Sequence, residues 1–248
     1  MSVGIGGIPS QTESDDLHRL IQHVKSVLQD RNAIRPKKLV VPELMPSLQS
    51  ELGASLPLHV SLSRTLQVKT EHRDLFLDTL KRCLRRAAVR SFSFDFQGLK
   101  WVPNFERNRW FLVLSIKRPA QDELNRLLYA CNEAAGRCGH PALYSGGEGD
   151  GPMSENDPTS PPKDKQKQQH HGQMADHSAY FHISIAWNLI EPDPEWISVV
   201  QDIDVSKYMS SPKATFDAVK VKIGNVVHSI VLGTGGSGLG NSGLLGLG

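Results

Sequence analysis

The sequence predicts an α+β fold in which two pseudo-symmetric lobes of antiparallel sheet, with outer helices, surround a central cleft. The order of the predicted elements is the first observation, because strands and helices follow one another as strand, helix, strand, strand, helix before a polar interruption. The second is that two strands, 123 residues apart, carry the same His-x-Ser pattern, in LHVSLSRT and FHISIAWN. Two related lobes would bring these strands together.

The composition is that of an ordinary globular protein. With 248 residues, 39% of them hydrophobic, the chain is long enough for one domain or a tightly joined pair of lobes. No apolar run has the length of a membrane span, and the first residues lack the pattern of a secretory signal. We therefore expect an intracellular protein with no membrane association. The three cysteines, Cys83, Cys131 and Cys138, are expected to be reduced and mostly buried.

Residues 1–35 form an N-terminal segment with one predicted helix. Ser14 or Asp15 is its expected cap, and its neighbours are expected to be loops. Apolar residues recur at helical spacing, at Leu17, Leu20, Ile21, Val24 and Leu28. Beyond residue 35 the chain is expected to run extended into the first convincing strand, residues 56–65.

The next region predicts a helix, two strands and a second helix. Thr70 is the expected cap of the first helix. Its predicted apolar positions are Leu75, Phe76, Leu80, Cys83 and Leu84. Alternating phenylalanines in residues 91–97 and a second alternating run in residues 109–116 predict the strands. The second helix is expected over residues 120–135, with Gly136 or Gly139 ending it.

The rest of the chain contains a polar interruption and a closing hairpin. Residues 145–173 are poor in apolar side chains and predict a disordered insertion within a two-lobed domain spanning residues 36–232. Strand pattern resumes at Tyr180, and a short helix is expected over residues 194–200. Gly224 and Asn225 predict a tight turn between the last two strands. Residues 233–248 are expected to be a flexible Gly-rich tail.

The paired His-x-Ser strands carry the chemistry. Because successive residues of a strand face opposite sides, His59 and Ser61 share one face with Ser63. By the same argument His182 and Ser184 share a face with Ala186, opposite the face of Trp187. Imidazoles suit the two proton transfers of phosphodiester cleavage, and hydroxyls can donate to phosphate oxygens. Tyr180 is expected on the face of His182, where it could stack on a base. The alternative is that these residues merely form the polar face of amphipathic strands.

Basic residues are concentrated in the middle of the chain. Residues 64–118 contain 13 Lys and Arg against 5 Asp and Glu, which indicates an anionic partner such as nucleic acid. The alternative is that the cationic residues within 81–86 only solvate a helix. For Lys100, Arg107 and Arg109, contact with an RNA backbone and simple solvation both remain open.

The two His-x-Ser segments resemble the paired signatures of the two-histidine phosphoesterase superfamily, and specifically its Usb1 branch, the U6 small nuclear RNA 3′ phosphodiesterases. Residues 102–116 add to the similarity, since Asn104, Glu106, Arg109 and Phe111 match a strand of that family. The closing hairpin adds further similarity. The resemblance covers residues 41–232 apart from the insertion.

The resemblance implies a metal-independent 3′-to-5′ exoribonuclease that trims the oligouridine end of U6 small nuclear RNA. His59 and His182 would be its acid and base, and Ser61 and Ser184 its phosphate-binding residues. The 2′-hydroxyl of the penultimate nucleotide would attack, leaving a 2′,3′-cyclic phosphate that some family members open to a monophosphate. No cofactor or metal is implied, RNA is the partner, and a monomer in the nucleus is expected.

Other interpretations remain. The chain could be another two-histidine enzyme, such as a cyclic nucleotide phosphodiesterase or a ligase-like RNA end-processing enzyme, although these usually carry Thr in the motif. It could also be an RNA-binding module without turnover. A metal site built from His170, His171 and His177 is conceivable, but solvated low complexity is the favoured interpretation, and a structural role is the default for His228.

Overall fold

The computed structural model describes residues 1–50, 52–104, 106–145, 175–209 and 214–233. The predicted insertion, except Ser145, and the predicted tail, except Gly233, lie outside the described residues. The strands are β1 Ser2–Gly7, β2 Met45–Pro46, β3 Leu58–Ser61, β4 Phe92–Phe94, β5 Phe96–Pro103, β6 Trp110–Ile116, β7 His182–Asn188, β8 Ala214–Phe216, β9 Ala218–Ile223 and β10 Val226–Val231. The α-helices are α1 Gln11–Ala33, α2 Arg73–Ala87, α3 Glu123–Arg137 and α4 Pro194–Gln201.

Two four-stranded antiparallel sheets form the framework. The first has the strand order β10-β9-β1-β3 and the second has the order β2-β7-β6-β5. Strands β4 and β8 form a separate pair. Strand β3 of the first sheet lies against strand β7 of the second. The predicted α+β fold is therefore confirmed, and the two sheets meet along the strands that carry the His-x-Ser motifs.

Strand β1 is an element that the sequence analysis missed. Its residues were expected to be a loop before the helix, but β1 pairs with both β3 and β9, and Val3 and Ile5 are buried. The strand sequence, SVGIGG, contains three glycines, and glycine is depleted in strands. The low strand propensity of its glycines is the reason that β1 was not predicted, and its pairing with β3 and β9 stabilises it.

The glycines of β1 allow it to approach β3 closely. A Cβ atom on Gly6 would lie 2.1 Å from the carbonyl oxygen of Leu58 and 2.7 Å from Cα of His59. A Cβ atom on Gly4 would lie 2.6 Å from the carbonyl oxygen of Val60. Any side chain at these two positions would push β3 away, so β1 positions the strand that carries His59.

The helix α1 begins earlier than predicted. Ser10, rather than Ser14 or Asp15, is its cap, because Ser10 and Glu13 form a reciprocal capping box. Ser10 Oγ accepts from the Glu13 backbone N–H at 3.3 Å, and Glu13 Oε2 accepts from the Ser10 N–H at 2.9 Å. The predicted apolar stripe of this helix is confirmed as buried.

The helices α2 and α3 lie where the sequence predicted them, but their ends differ from the predicted ends. Thr70 begins a 3₁₀ turn, Thr70–His72, and α2 itself begins at Arg73 with no side-chain cap. Leu75 is 60% exposed, whereas the other four predicted apolar positions of α2 are buried. The helix α3 runs past Gly136, and Gly139 follows it with φ of 75°. Of the two predicted stops, Gly139 is therefore the one with the left-handed backbone that favours glycine.

The predicted strands differ more in length. The first, expected over residues 56–65, is only Leu58–Ser61. The predicted phenylalanine run divides into β4 and β5. Strand β5 then continues to Pro103, paired with β6, and this longer part of β5 was not predicted from the sequence. The predictions of β6, α4 and the closing hairpin are confirmed, and Gly224 in the hairpin turn has φ of 60°.

Candidate active site

Strand β3 presents His59 and Ser61 on one face. Leu58 and Val60 are buried on the other face, while His59 is exposed and Ser61 half-buried. Ser63 was expected beside them but lies beyond the end of β3 and is buried. Its Oγ accepts from the Val3 backbone N–H at 2.9 Å and donates to the Arg64 carbonyl at 2.8 Å. Ser63 therefore ties β1 to the end of β3.

Strand β7 presents His182 and Ser184 in the same way. Both are half-buried, and Ile183 between them is fully buried. The pairing of β7 with β6 shifts register after Ser184, so that Ile185 and Ala186 are both buried. Ala186 was expected on the histidine face, and Trp187, which is only half-buried, was expected on the buried face. The bulge breaks the strict alternation that these predictions assumed.

The structure brings the two motifs together. The strands β3 and β7 are neighbours, and the positive charge of His59 lowers the pKa of His182. This interaction is the one expected of two imidazoles on neighbouring strands. We call the space bordered by His59, Ser61, His182 and Ser184 the cleft.

The ring of His182 is held by a hydrogen bond to the backbone. Its Nδ1 donates to the carbonyl oxygen of Tyr180 at 2.6 Å, and Tyr144 Oη donates to the same oxygen at 3.2 Å. A carbonyl can only accept, so the proton of the neutral ring lies on Nδ1. The Nε2 atom of His182 is therefore the one that is able to accept a proton.

Both histidines are easier to deprotonate than a free imidazole. Burial is the main cause that lowers the pKa of His182 to about 4, and the charges of Lys100 and His59 lower it further against the opposing effect of the Tyr180 carbonyl. Although His59 has an exposed surface, partial removal of its ring from water lowers its pKa, and the charge of Lys222 adds to this. His182 is thus neutral at pH 7.

The structure places Tyr180 differently from the prediction. It ends a 3₁₀ turn, Ser178–Tyr180, and the strand begins only at His182, so the period-two argument for its position was wrong. Its ring is half-buried and lies 4.9 Å from the ring of Tyr144 and 5.9 Å from that of His177. Its contact with the histidine is made by its backbone carbonyl.

Asn104 and Arg109, two of the residues that supported the resemblance, make contacts that stabilise the β5–β6 turn and its surroundings. Asn104 Oδ1 accepts from the backbone N–H groups of Asn108 at 3.0 Å and Arg109 at 3.1 Å. The guanidinium of Arg109 lies 4.3 Å from the ring centre of Trp187, and Arg107 forms an ion pair with Glu191 at 3.2 Å. Lys100, Arg107 and Arg109 were the candidates for contact with RNA. Of these three, only Lys100 is placed by its strand pairing on the sheet face that carries His182 and Ser184.

Two lysines of β9, Lys220 and Lys222, lie on the same sheet face as His59 and were not predicted from the sequence. Lys222 of β9 pairs with Ser2 of β1, in the same sheet and on the same face as His59. Lys220 lies two residues away on that face, and its Nζ donates to Ser229 Oγ at 2.8 Å. The signal that could have found Lys222 is the alternation of valine and lysine in AVKVKI, which places both lysines on one face.

Other predicted features lie elsewhere. The groove between α2 and β10, which Lys81, Arg85 and Arg90 line, contains none of the five predicted site residues. Within the described part of the chain, no group of three or more His, Cys, Asp or Glu residues is arranged to hold a metal ion. His177 packs among tyrosine rings, and His228 is half-buried on β10. None of the described helices combines the length and apolar character of a membrane span.

Comparison with known proteins agrees with this fold and motif pattern. A U6 snRNA phosphodiesterase 1 from Neurospora crassa is 29% identical over 202 residues, which cover 71% of this chain and 48% of that protein. The chain therefore spans about half the length of this curated relative. The structure of Kluyveromyces marxianus Usb1 matches with a TM-score of 0.63 at 14% identity, covering 93% of this chain and 97% of the other.

A second structure, Kluyveromyces marxianus Usb1 with uridine monophosphate, matches with the same TM-score at 15% identity, covering 93% of this chain and 99% of the other. The model of a family described as "HVSL: Uncharacterised conserved protein" matches residues 5–231, a span that includes both His-x-Ser strands and β1. These findings confirm the resemblance to Usb1 proteins. The chain belongs to the HVSL family.

Proposed function

We propose that this protein is a metal-independent 3′-to-5′ exoribonuclease that trims the oligouridine 3′ end of U6 small nuclear RNA. The first product end is a 2′,3′-cyclic phosphate, and a second step that opens it would leave a monophosphate. The observation that carries the proposal is the contact between β3 and β7, two neighbouring strands that carry an imidazole and a serine hydroxyl at matched positions. The name of the Neurospora relative, U6 snRNA phosphodiesterase 1, supports the choice of substrate.

The pKa values favour one assignment of the two histidines. His182, which is neutral and carries its proton on Nδ1, takes the proton from the 2′-hydroxyl of the penultimate nucleotide through Nε2. The 2′-oxygen attacks phosphorus, and the bond from phosphorus to the 5′-oxygen of the last nucleoside breaks. His59, in its protonated form, gives a proton to that departing oxygen. Ser61 and Ser184 donate hydrogen bonds to the non-bridging oxygens, where charge accumulates.

The proposal extends to the remaining expectations from the resemblance. The half-buried ring of Tyr180, next to the backbone carbonyl that orients His182, stacks on the terminal base. A small nuclear RNA as the substrate supports the nucleus as the proposed location. The two lobes supply both histidines from one chain, which is consistent with a monomer as the active form.

The experiment that tests the function uses the full chain, oligouridine and oligoadenosine RNAs with a labelled internal nucleotide, and EDTA throughout. We expect stepwise shortening from the 3′ end, faster on oligouridine, with a cyclic phosphate as the first new end group. Intact RNA after long incubation at high protein concentration would instead support an RNA-binding module. Inhibition by EDTA, or internal cleavage, would contradict the proposed reaction.

The dependence of kcat/KM on pH is expected to be bell-shaped. The reaction requires neutral His182 and protonated His59, and kcat/KM reports the pKa values of the free enzyme. Activity should therefore rise as the pH passes about 4, the pKa of His182, and fall as the pH passes that of His59, which lies below 6.5.

A lysine variant assigns the falling limb of this profile. Because the charge of Lys222 lowers the pKa of His59, Lys222→Met should move the falling limb to higher pH and leave the rising limb in place. Lys38→Met is the control, because its Nζ donates to the Asn32 and Ala33 carbonyls outside both histidine strands, and it should leave both limbs unchanged. A shift of the rising limb in Lys222→Met would reverse the assignment of acid and base.

A further inference from the structure

Lys100 shares a sheet face with the histidine motif of the second sheet. It pairs with Val113 of β6, which in turn pairs with Ser184 of β7. Residues directly opposite one another in antiparallel strands have side chains on the same face. The next row is Gly98, Ser115 and His182. Lys100 thus lies in the row of Ser184, two strands away, a backbone distance of about 10 Å from strand spacing.

Two observations place the ammonium group of Lys100 beside His182. Its Nζ donates to the carbonyl oxygen of Ala179 at 2.5 Å, in the turn that immediately precedes the histidine strand. Its positive charge also lowers the pKa of His182. The long side chain therefore extends from β5 across the sheet toward the cleft.

The ammonium group has no counter-ion in the described part of the chain. No Asp or Glu among these residues lies within ion-pair distance of Lys100. Its acceptor among them is the Ala179 carbonyl, which leaves two of its three N–H donors for another partner. Lys100 is also half-buried, and burial lowers its pKa to about 8, so it is mainly protonated at pH 7. A half-buried cation without a carboxylate is costly, and an anionic ligand would offset that cost.

We propose that Lys100 is a phosphate-binding residue, which donates to a non-bridging oxygen of the phosphate held by Ser184. This inference rests on the proposed function, because it takes the ligand to be the scissile phosphate of an RNA. The contact would strengthen as charge accumulates on that phosphate during the reaction. The alternative is that Lys100 only ties the Ser178–Tyr180 turn to β5 and so positions His182.

Salt dependence of RNA binding separates these two roles. The full chain is titrated with a fluorescent oligouridine that carries 2′-deoxyribose at the penultimate position, and Kd is measured between about 50 and 200 mM salt. Loss of one phosphate contact to a single strand should reduce the slope of log Kd against log salt by about 0.7. We expect this for Lys100→Met, with Kd raised about tenfold at the lowest salt.

Two further variants are the controls. Lys100→Arg keeps the cation and should retain the slope of the wild type. Lys38→Met removes another lysine whose Nζ donates to backbone carbonyls, those of Asn32 and Ala33, outside the histidine strands. It should leave the slope unchanged. Thermal unfolding of each variant shows whether the fold is retained.

The outcomes distinguish failure of this inference from failure of the proposed function. If Lys100→Met keeps the slope of the wild type while its turnover falls, Lys100 positions the turn and binds no phosphate. If the wild type binds RNA but never cleaves the unmodified oligouridine, the proposed function fails, while the slope still reports on Lys100. Absence of RNA binding by the wild type overturns both.

Discussion

Replacement of His182 by alanine is expected to lower kcat on oligouridine RNA by about 10² to 10⁴-fold, and replacement of His59 should have an effect of the same size. In the proposed reaction each imidazole moves one of the two protons, so its removal leaves that transfer without a positioned acid or base. Single-turnover rates at saturating enzyme measure this loss directly, since they separate chemistry from product release.

The comparison requires a histidine outside the cleft. His18→Ala is a suitable control because His18 is exposed on α1, and it should retain the rate of the wild type. The serine variants Ser61→Ala and Ser184→Ala should lose on the order of 10² if each hydroxyl stabilises the developing charge. A His59 or His182 variant that keeps its rate within a factor of ten would remove that residue from the proposed pair.

A single deoxyribose at the penultimate nucleotide should block removal of the last nucleotide. The proposed nucleophile is the 2′-hydroxyl of that sugar, so its removal leaves no group to attack phosphorus. The rate should fall to the background of the assay, a larger effect than that of either histidine variant, because the reacting atom itself is missing. Gel analysis of end-labelled RNA measures this outcome.

Placement of the deoxyribose at the terminal nucleotide provides the matched substrate. That sugar belongs to the leaving group and its 2′-hydroxyl takes no part in the attack, so the first cleavage should proceed at nearly the normal rate. Degradation of the penultimate deoxy substrate at the normal rate would indicate that water is the nucleophile. The two histidines would then catalyse hydrolysis rather than transfer to the 2′-oxygen.

Features that depend on neighbouring residues were predictable from the sequence. The alternation of faces placed His59 with Ser61 and His182 with Ser184, and the structure has the same arrangement. The Gly224-Asn225 turn of the closing hairpin was predictable for the same reason, because a tight turn restricts its own residues. The family resemblance then connected these two short motifs.

Other features required the pairing partners to be known. Strand β1 was missed because its glycines have low strand propensity, although Gly4 and Gly6 are what allow it to lie against β3. The prediction that Tyr180 lies within the histidine strand was wrong, because β7 begins only at His182. The predicted face of Ala186 was wrong because β7 contains a bulge after Ser184. This bulge arises from the register of β7 against β6, which the sequence of β7 alone does not reveal.

The sequence by itself determined the α+β fold class, the two His-x-Ser strands and the faces that they present, since strand periodicity is a local property of the chain. Only the tertiary structure decided which groups surround each histidine. Lys100 and Lys222 reach His182 and His59 through strand pairings between distant parts of the chain. Burial and these charges lower the two pKa values, and burial is a property of the assembled fold.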